Sequence, residues 1–223
     1  MKINADLAKR AVMDSTMLDW VASPMAGVER RMLERDGDEV ARATSIVRYA
    51  PDSAFSAHVH GGGEEFLVLD GVFTDETGDF PTGMYVRNPP GSRHIPSSAP
   101  GCTILVKLWQ MTPDDTDFVR INTHDRSLWR SGREGEDLLP LYEAANETVQ
   151  MVRWSAGLDW GTVSFPGGGE YFVLEGSFAD DDGVYDRGAW LRLPPGSSHT
   201  PRTDGGCLFY VKTGHLQKAD VTA

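Results

Sequence analysis

Apolar residues in this chain come in short runs, separated by glycine, proline and acidic residues. Thr44-Ser45-Ile46-Val47-Arg48-Tyr49 is rich in β-formers, and Pro51-Asp52 marks a turn behind it. Phe66-Leu67-Val68-Leu69 reads as a buried strand that Asp70-Gly71 ends in a turn. Gly71-Val72-Phe73-Thr74-Asp75 starts another strand, and Glu76-Thr77-Gly78-Asp79 turns it back. Tyr85-Val86-Arg87 is a short strand before the Pro89-Pro90-Gly91 turn, and residues 102–109 form the last strong strand of this half. Strands this short and this regular predict an all-β barrel or sandwich. Residues 1–45 show no clean period and read as an entry segment of edge strands or a short helix, with Trp20 and Pro24 in a packed, extended connection. Residues 111–150 are acidic and turn-like, with Trp129 as a large anchor, and read as a linker plus the entry to a second unit. Leu138-Leu139-Pro140-Leu141-Tyr142 and residues 148–154 then resume the strand pattern.

The second half repeats the first. Shifting the chain by 105 residues places residues 62–107 on 167–212 without a gap, and 21 of the 46 aligned positions are identical. Pro89-Pro90-Gly91-Ser92 falls on Pro194-Pro195-Gly196-Ser197, His94 on His199, and Gly101-Cys102 on Gly206-Cys207. Two repeats of this size predict two domains, here 1–120 and 121–223.

Composition narrows the class. The 223 residues are 40% hydrophobic and 24% charged, as in a globular chain able to bury a substantial core. A formal charge of -12 repels phosphate backbones, so no nucleic-acid partner is expected. No apolar run has transmembrane length, and the first ten residues lack the apolar core of a signal peptide. The expectation is a cytoplasmic protein with no membrane partner, whose two cysteines, Cys102 and Cys207, stay as buried, inert thiols.

The densest chemistry is His58-Val59-His60-Gly61-Gly62-Gly63-Glu64-Glu65, completed by His94 behind the Pro-Pro-Gly turn. One residue separates His58 from His60, so on a strand both imidazoles face the same side. Three glycines permit a tight turn that brings Glu64 back toward them. A single histidine would read as a polar group on a barrel rim. Four groups at this spacing read as a metal site, and three imidazoles with one carboxylate suit Zn, Fe, Mn, Ni or Cu better than Mg or Ca. Glu65 is the alternative acid. It would face away from Glu64 on a strand, and its repeat partner Glu170 persists where the other ligands do not, which suggests an ion pair with Arg87 matched by Glu170 and Arg192. In the second repeat Val163, Phe165 and Gly169 stand at the positions of His58, His60 and Glu64. With His199 alone remaining, one metal per chain is expected, and a packed apolar interior around Trp160, Phe165, Tyr171, Phe172 and Trp190. His124 and His215 read as surface histidines.

The pattern His58-x-His60-x3-Glu64-x6-Gly71 resembles the first cupin motif, and Pro90-Gly91-x2-His94 the second. The His-x-His-x3-Glu-Glu variant, with residues 70–107 behind it, most closely resembles the C-terminal cupin domain of ChrR-type anti-sigma factors. The resemblance implies two tandem cupin (double-stranded β-helix, jelly-roll) barrels, the first binding metal through His58, His60, Glu64 and His94, and the second degenerate. It also implies zinc, with Fe, Mn or Ni as alternatives, and a sensory or regulatory role. In that family a separate N-terminal zinc domain grips a sigma factor. This chain has no His-x3-Cys-x2-Cys element, so sigma-factor binding by that route is not expected, and a protein partner would supply that part. Metal enzymes of the cupin dioxygenase kind present a similar site, which makes an oxygenase acting on a small oxygenated molecule the competing function. No catalytic residue stands out, although Tyr85, Arg93 and Glu65 are near in sequence, and a small-molecule ligand in the first barrel would serve either reading. A third reading is a bicupin whose metal only stabilises the barrel. Edge strands of such barrels commonly pair, which makes a homodimer a further expectation.

Overall fold

A computed structural model describes residues 1–218. Strands dominate, and the helical elements among the described residues are short 3-10 turns at Ser15–Met17, Arg126–Leu128 and His215–Lys218. None is long and apolar enough to cross a membrane.

The chain divides into two compact units. Among the described residues, the first comprises Met1–Ala5 and Leu18–His124, and the second comprises Asp6–Met17 and residues 125–218. In the first unit the main sheet runs Lys2–Ile3, Val28–Gly37, Ala41–Tyr49, Cys102–Leu108, Glu64–Asp75, Met84–Asn88 and Val119–Asn122. A separate antiparallel pair joins His58–His60 to Ser92–His94. The second unit has the same order: Arg130–Ser131, Glu136–Ala144, Glu147–Trp154, Cys207–Thr213, Gly169–Asp180, Ala189–Leu193 and Ala11–Asp14. Its separate pair is Val163–Phe165 with Ser197–His199. These are the all-β barrels that the pattern predicted, in the tandem cupin arrangement that the resemblance implied.

Inward alternation builds each core. Phe66, Val68, Phe73, Phe80, Val86, Ile104 and Val106 pack in the first barrel. The second is more aromatic, with Trp154, Phe165, Tyr171, Phe178, Tyr185 and Phe209 in one cluster and Trp160 packed against it. This is the filled interior expected for Trp160, Phe165 and Tyr171, whereas Phe172 and Trp190 are buried outside that cluster.

Three elements differ from the expectations. First, no turn breaks the chain at Asp70-Gly71, because Glu64–Asp75 is one continuous strand. The pairing with Cys102–Leu108 skips Leu69 just before it, a bulge, and Gly71 beyond the bulge takes φ +74. A Cβ on Gly71 would lie 2.0 Å from the Gly101 carbonyl oxygen, so no other residue fits. The same bulge recurs at Val173/Glu175, beside Gly176. Second, Val119–Asn122, inside the stretch read as linker, is a strand on the first barrel's sheet, paired with Met84–Asn88. Third, Ala11–Asp14, inside the entry segment, pairs with Ala189–Leu193 on the second barrel's sheet. The remaining entry segment supplies the long strand Val28–Gly37, and Trp20 packs against the guanidinium groups of Arg31 and Arg48, 4.4 and 4.3 Å from its ring centroid.

Candidate metal centre

The pairing of His58–His60 with Ser92–His94 sets His94 opposite His58 and Ser92 opposite His60. Alternation then sends all three imidazoles to one side, with ring centroids 4.7 to 4.9 Å apart. One ring nitrogen from each of His58, His60 and His94 lies within 4.8 Å of the others, a set that could hold a metal ion. His60 and His94 are buried, their Nε2 atoms 3.0 Å apart, and His58 is half-buried, with Nδ1 3.3 Å from the Ser56 carbonyl oxygen.

Glu64 begins the strand behind the glycine turn and is buried. Its Oε2 lies 3.5 Å from His60 Nε2 and 3.7 Å from His94 Nε2. The structure therefore brings the four predicted residues together, three as a tight triad and the carboxylate against two of them. Asn88, opposite Glu64 in register, donates from Nδ2 to the same oxygen at 3.2 Å. Arg120 Nη2 donates to Asn88 Oδ1 at 2.6 Å. Behind His94, the buried Asp75 carboxylate stands 3.5 Å from Nδ1, on the side away from the cluster.

Burial governs the charge states. It lowers the pKa of His60 to about 4, with His58 adding to the effect, and it lowers that of His94. Both rings are neutral near pH 7 and keep a lone pair for ligation. Burial also raises the pKa of the Glu64 carboxyl, opposed by His94, the Asn88 hydrogen bond, His58 and Arg120. A cation among these groups would favour the ionised carboxylate and be shared by the His60 and His94 nitrogens. The donor set fits a divalent ion on these grounds.

Glu65 takes the structural role expected of it. It faces away from the cluster and accepts from Arg87 Nη1 at 2.7 Å and from the Tyr85 hydroxyl at 3.0 Å, all buried. Arg87 also pairs with Asp115. Glu170 stands opposite Arg192 in the second sheet. Arg93 is exposed. Burial holds the Cys102 thiol up at about 11 and Cys207 at about 12, which keeps both unreactive. His124 is exposed, but His215 is not the surface residue expected. It begins the 3-10 turn after the last strand and is buried with Nε2 3.4 Å from Glu170 Oε1. Its position late in the sequence gave no sign of that fold-back.

In the second barrel, Val163 pairs opposite His199 and Phe165 opposite Ser197. The Phe165 ring fills the space a carboxylate would need, since a Cβ on Gly169 would lie 2.6 Å from it. Both ring nitrogens of His199 are engaged, Nε2 with the Tyr171 hydroxyl at 3.1 Å and Nδ1 with Asp180 Oδ2 at 3.1 Å. Asp180 also accepts from Arg10 and Tyr185, each at 2.8 Å. Burial opposes ionisation of Asp180, but hydrogen bonds from Arg10, Tyr185, the Asp182 N–H and His199 hold its pKa down to about 2.

The family model for the ChrR cupin-like domain matches residues 8–112 and again 117–217. The chain belongs to the ChrR cupin-like family. Solved structures similar to it share the fold at low identity. A candidate dioxygenase from Nostoc punctiforme superposes with a TM-score of 0.78 at 17% identity, covering 96% of this chain and 85% of that one. A cupin 2 conserved barrel domain protein from Leptotrichia buccalis gives 0.64 at 12%, covering 96% and 100%. A tryptophan-to-phenylalanine variant of oxalate decarboxylase from Bacillus subtilis gives 0.61 at 13%, covering 92% and 77%. None of the curated proteins compared matches this member of the ChrR cupin-like family.

Arg120 and Asn88 escaped the motif. Arg120 lies well beyond it, in the stretch read as linker. The repeat held the signal for Asn88, because Leu193 stands in its place where the ligands are also gone.

Proposed function

We propose that the first barrel holds one divalent metal ion on His58, His60, Glu64 and His94, and that the protein uses this barrel in a sensory or regulatory role. The carrying observation is the convergence of three imidazole nitrogens within 4.8 Å, with the buried Glu64 carboxylate against two of them. Zinc is the metal we assign, since three nitrogens and one oxygen complete a tetrahedral shell and leave the ion closed. Membership of the ChrR cupin-like family supports the regulatory role. The metal would fix the His58–His60 and Ser92–His94 strands to Glu64, and its gain or loss would be read by a protein partner.

A second reading rests on the half-buried His58, which leaves the cluster approachable from one side. Six-coordinate iron or manganese on the same four ligands would leave two positions for a small oxygenated substrate and O₂. Elemental analysis of the natively expressed protein, with a measurement of exchangeable bound water, decides between them. One zinc per chain without exchangeable water supports the sensory reading. Iron or manganese with exchangeable water, and oxygen uptake on small diketones or phenols, would replace it with the enzyme.

A further inference from the structure

Glu64 is held from behind by a chain of two hydrogen bonds, from Asn88 and Arg120, residues that are not among the named positions of either motif. Arg120 lies on the Val119–Asn122 strand, opposite Val86. Its Nη1 donates to the carbonyl oxygens of Arg87 and Val119, at 2.9 and 2.8 Å, and its guanidinium sits 5.3 Å from the Phe80 ring centroid. With the group anchored this way, Nη2 points at Asn88 Oδ1, 2.6 Å away.

The chemistry of the partners fixes the direction of the chain. A guanidinium only donates, so the Asn88 atom facing Arg120 must be the carbonyl oxygen. The amide nitrogen must then face Glu64, where it donates to Oε2, the oxygen nearest His60 and His94. Without Arg120 the amide could turn and set an oxygen against the carboxylate.

The repeat supplies an independent observation. Val86 corresponds to Leu191, and Val12 pairs opposite Leu191 on the Ala11–Asp14 strand, so Val12 holds the place of Arg120. Leu193 holds the place of Asn88, and Gly169 that of Glu64. All three members of the chain are absent from the barrel that lacks His58 and His60, whereas the neighbouring Glu65 and Arg87 persist there as Glu170 and Arg192. A scaffolding pair would have no reason to vanish with the ligands.

We infer that Arg120 and Asn88 are positioning residues for the metal centre, orienting the Glu64 carboxylate toward the imidazole triad. This rests on the metal reading above. The test is zinc affinity of the full chain, by competition with a chromophoric chelator, together with the melting temperature of the zinc-free protein. Asn88→Asp keeps the side-chain size and the acceptor for Arg120, but it cannot donate to Glu64. It should weaken zinc binding by about 10- to 100-fold. Arg120→Val should weaken it comparably, and the double variant should be no weaker than the worse single one. Unchanged zinc affinity in Asn88→Asp, with at most a lower melting temperature, would overturn the inference and leave the metal site standing. Zinc binding by His58→Ala/His60→Ala as tight as wild type would instead overturn the metal reading, and this inference with it.

Discussion

The two barrels share a backbone and differ in what they enclose. His58, His60 and Glu64 in the first are Val163, Phe165 and Gly169 in the second, yet the order of the main sheet and its bulge are the same. Pairing and alternation therefore specify this architecture without the site, and the site is a set of side chains placed on it. The first barrel gathers polar groups whose lone pairs converge on one point. The second replaces them with an aromatic core and satisfies its remaining histidine from both sides. Each barrel also receives one arginine from an added strand or the residue before it. Arg120 reaches Asn88 beside Glu64, and Arg10 reaches Asp180 behind His199.

The strongest test removes the polar set. His58→Ala/His60→Ala should take bound metal from about one equivalent to none and abolish stabilisation by added zinc, which for wild type is about 2.7 kcal/mol at a free concentration near 100 Kd. Elemental analysis and thermal melts check this, and retention of a full equivalent would sink the assignment. The core side of the comparison is probed by Phe165→Ala. Urea unfolding should show a loss of about 3–5 kcal/mol from the emptied aromatic site, with metal content unaltered.

The comparison can also be run backwards. Val163→His, Phe165→His, Gly169→Glu and Tyr171→Phe together recreate the first barrel's donors and free His199 Nε2. Metal content should rise from one equivalent to two, and a chain that still binds one would show that donor identity alone does not define the site. A smaller effect concerns acid stability. Asp180 titrates in the folded protein at about 2, below the ordinary carboxylate value. Its contribution is fully present above the unfolded pKa of about 3.9 and is lost as pH falls toward 2. Arg10→Met should move acid unfolding to higher pH, as followed by circular dichroism.

The histidine triad was legible because its spacing is local. One residue separates His58 from His60, and a proline-proline-glycine turn announces His94. Most strands were legible for the same reason, since alternation is a short-range signal. Pairing across the chain was not. Nothing around Ala11–Asp14 shows that its partner is Ala189–Leu193, and four residues at Val119–Asn122 are too few for alternation to stand out beside acidic turns. Arg120 was hidden with its strand. His215 was hidden because burial near Glu170 depends on a fold-back after the last strand.

The two added strands have opposite schedules during synthesis. Val119–Asn122 pairs with Met84–Asn88, made only shortly before it, so the first barrel can close and collect its ligands once residue 124 has left the ribosome. Ala11–Asp14 is made before its partner strand, which lies about 180 positions later, a closure distance that slows folding. At roughly 5–20 residues per second it waits on the order of 10–35 s with an unpaired edge. The strand that precedes the first barrel in the sequence is thus seated only after the last strands of the second have been made.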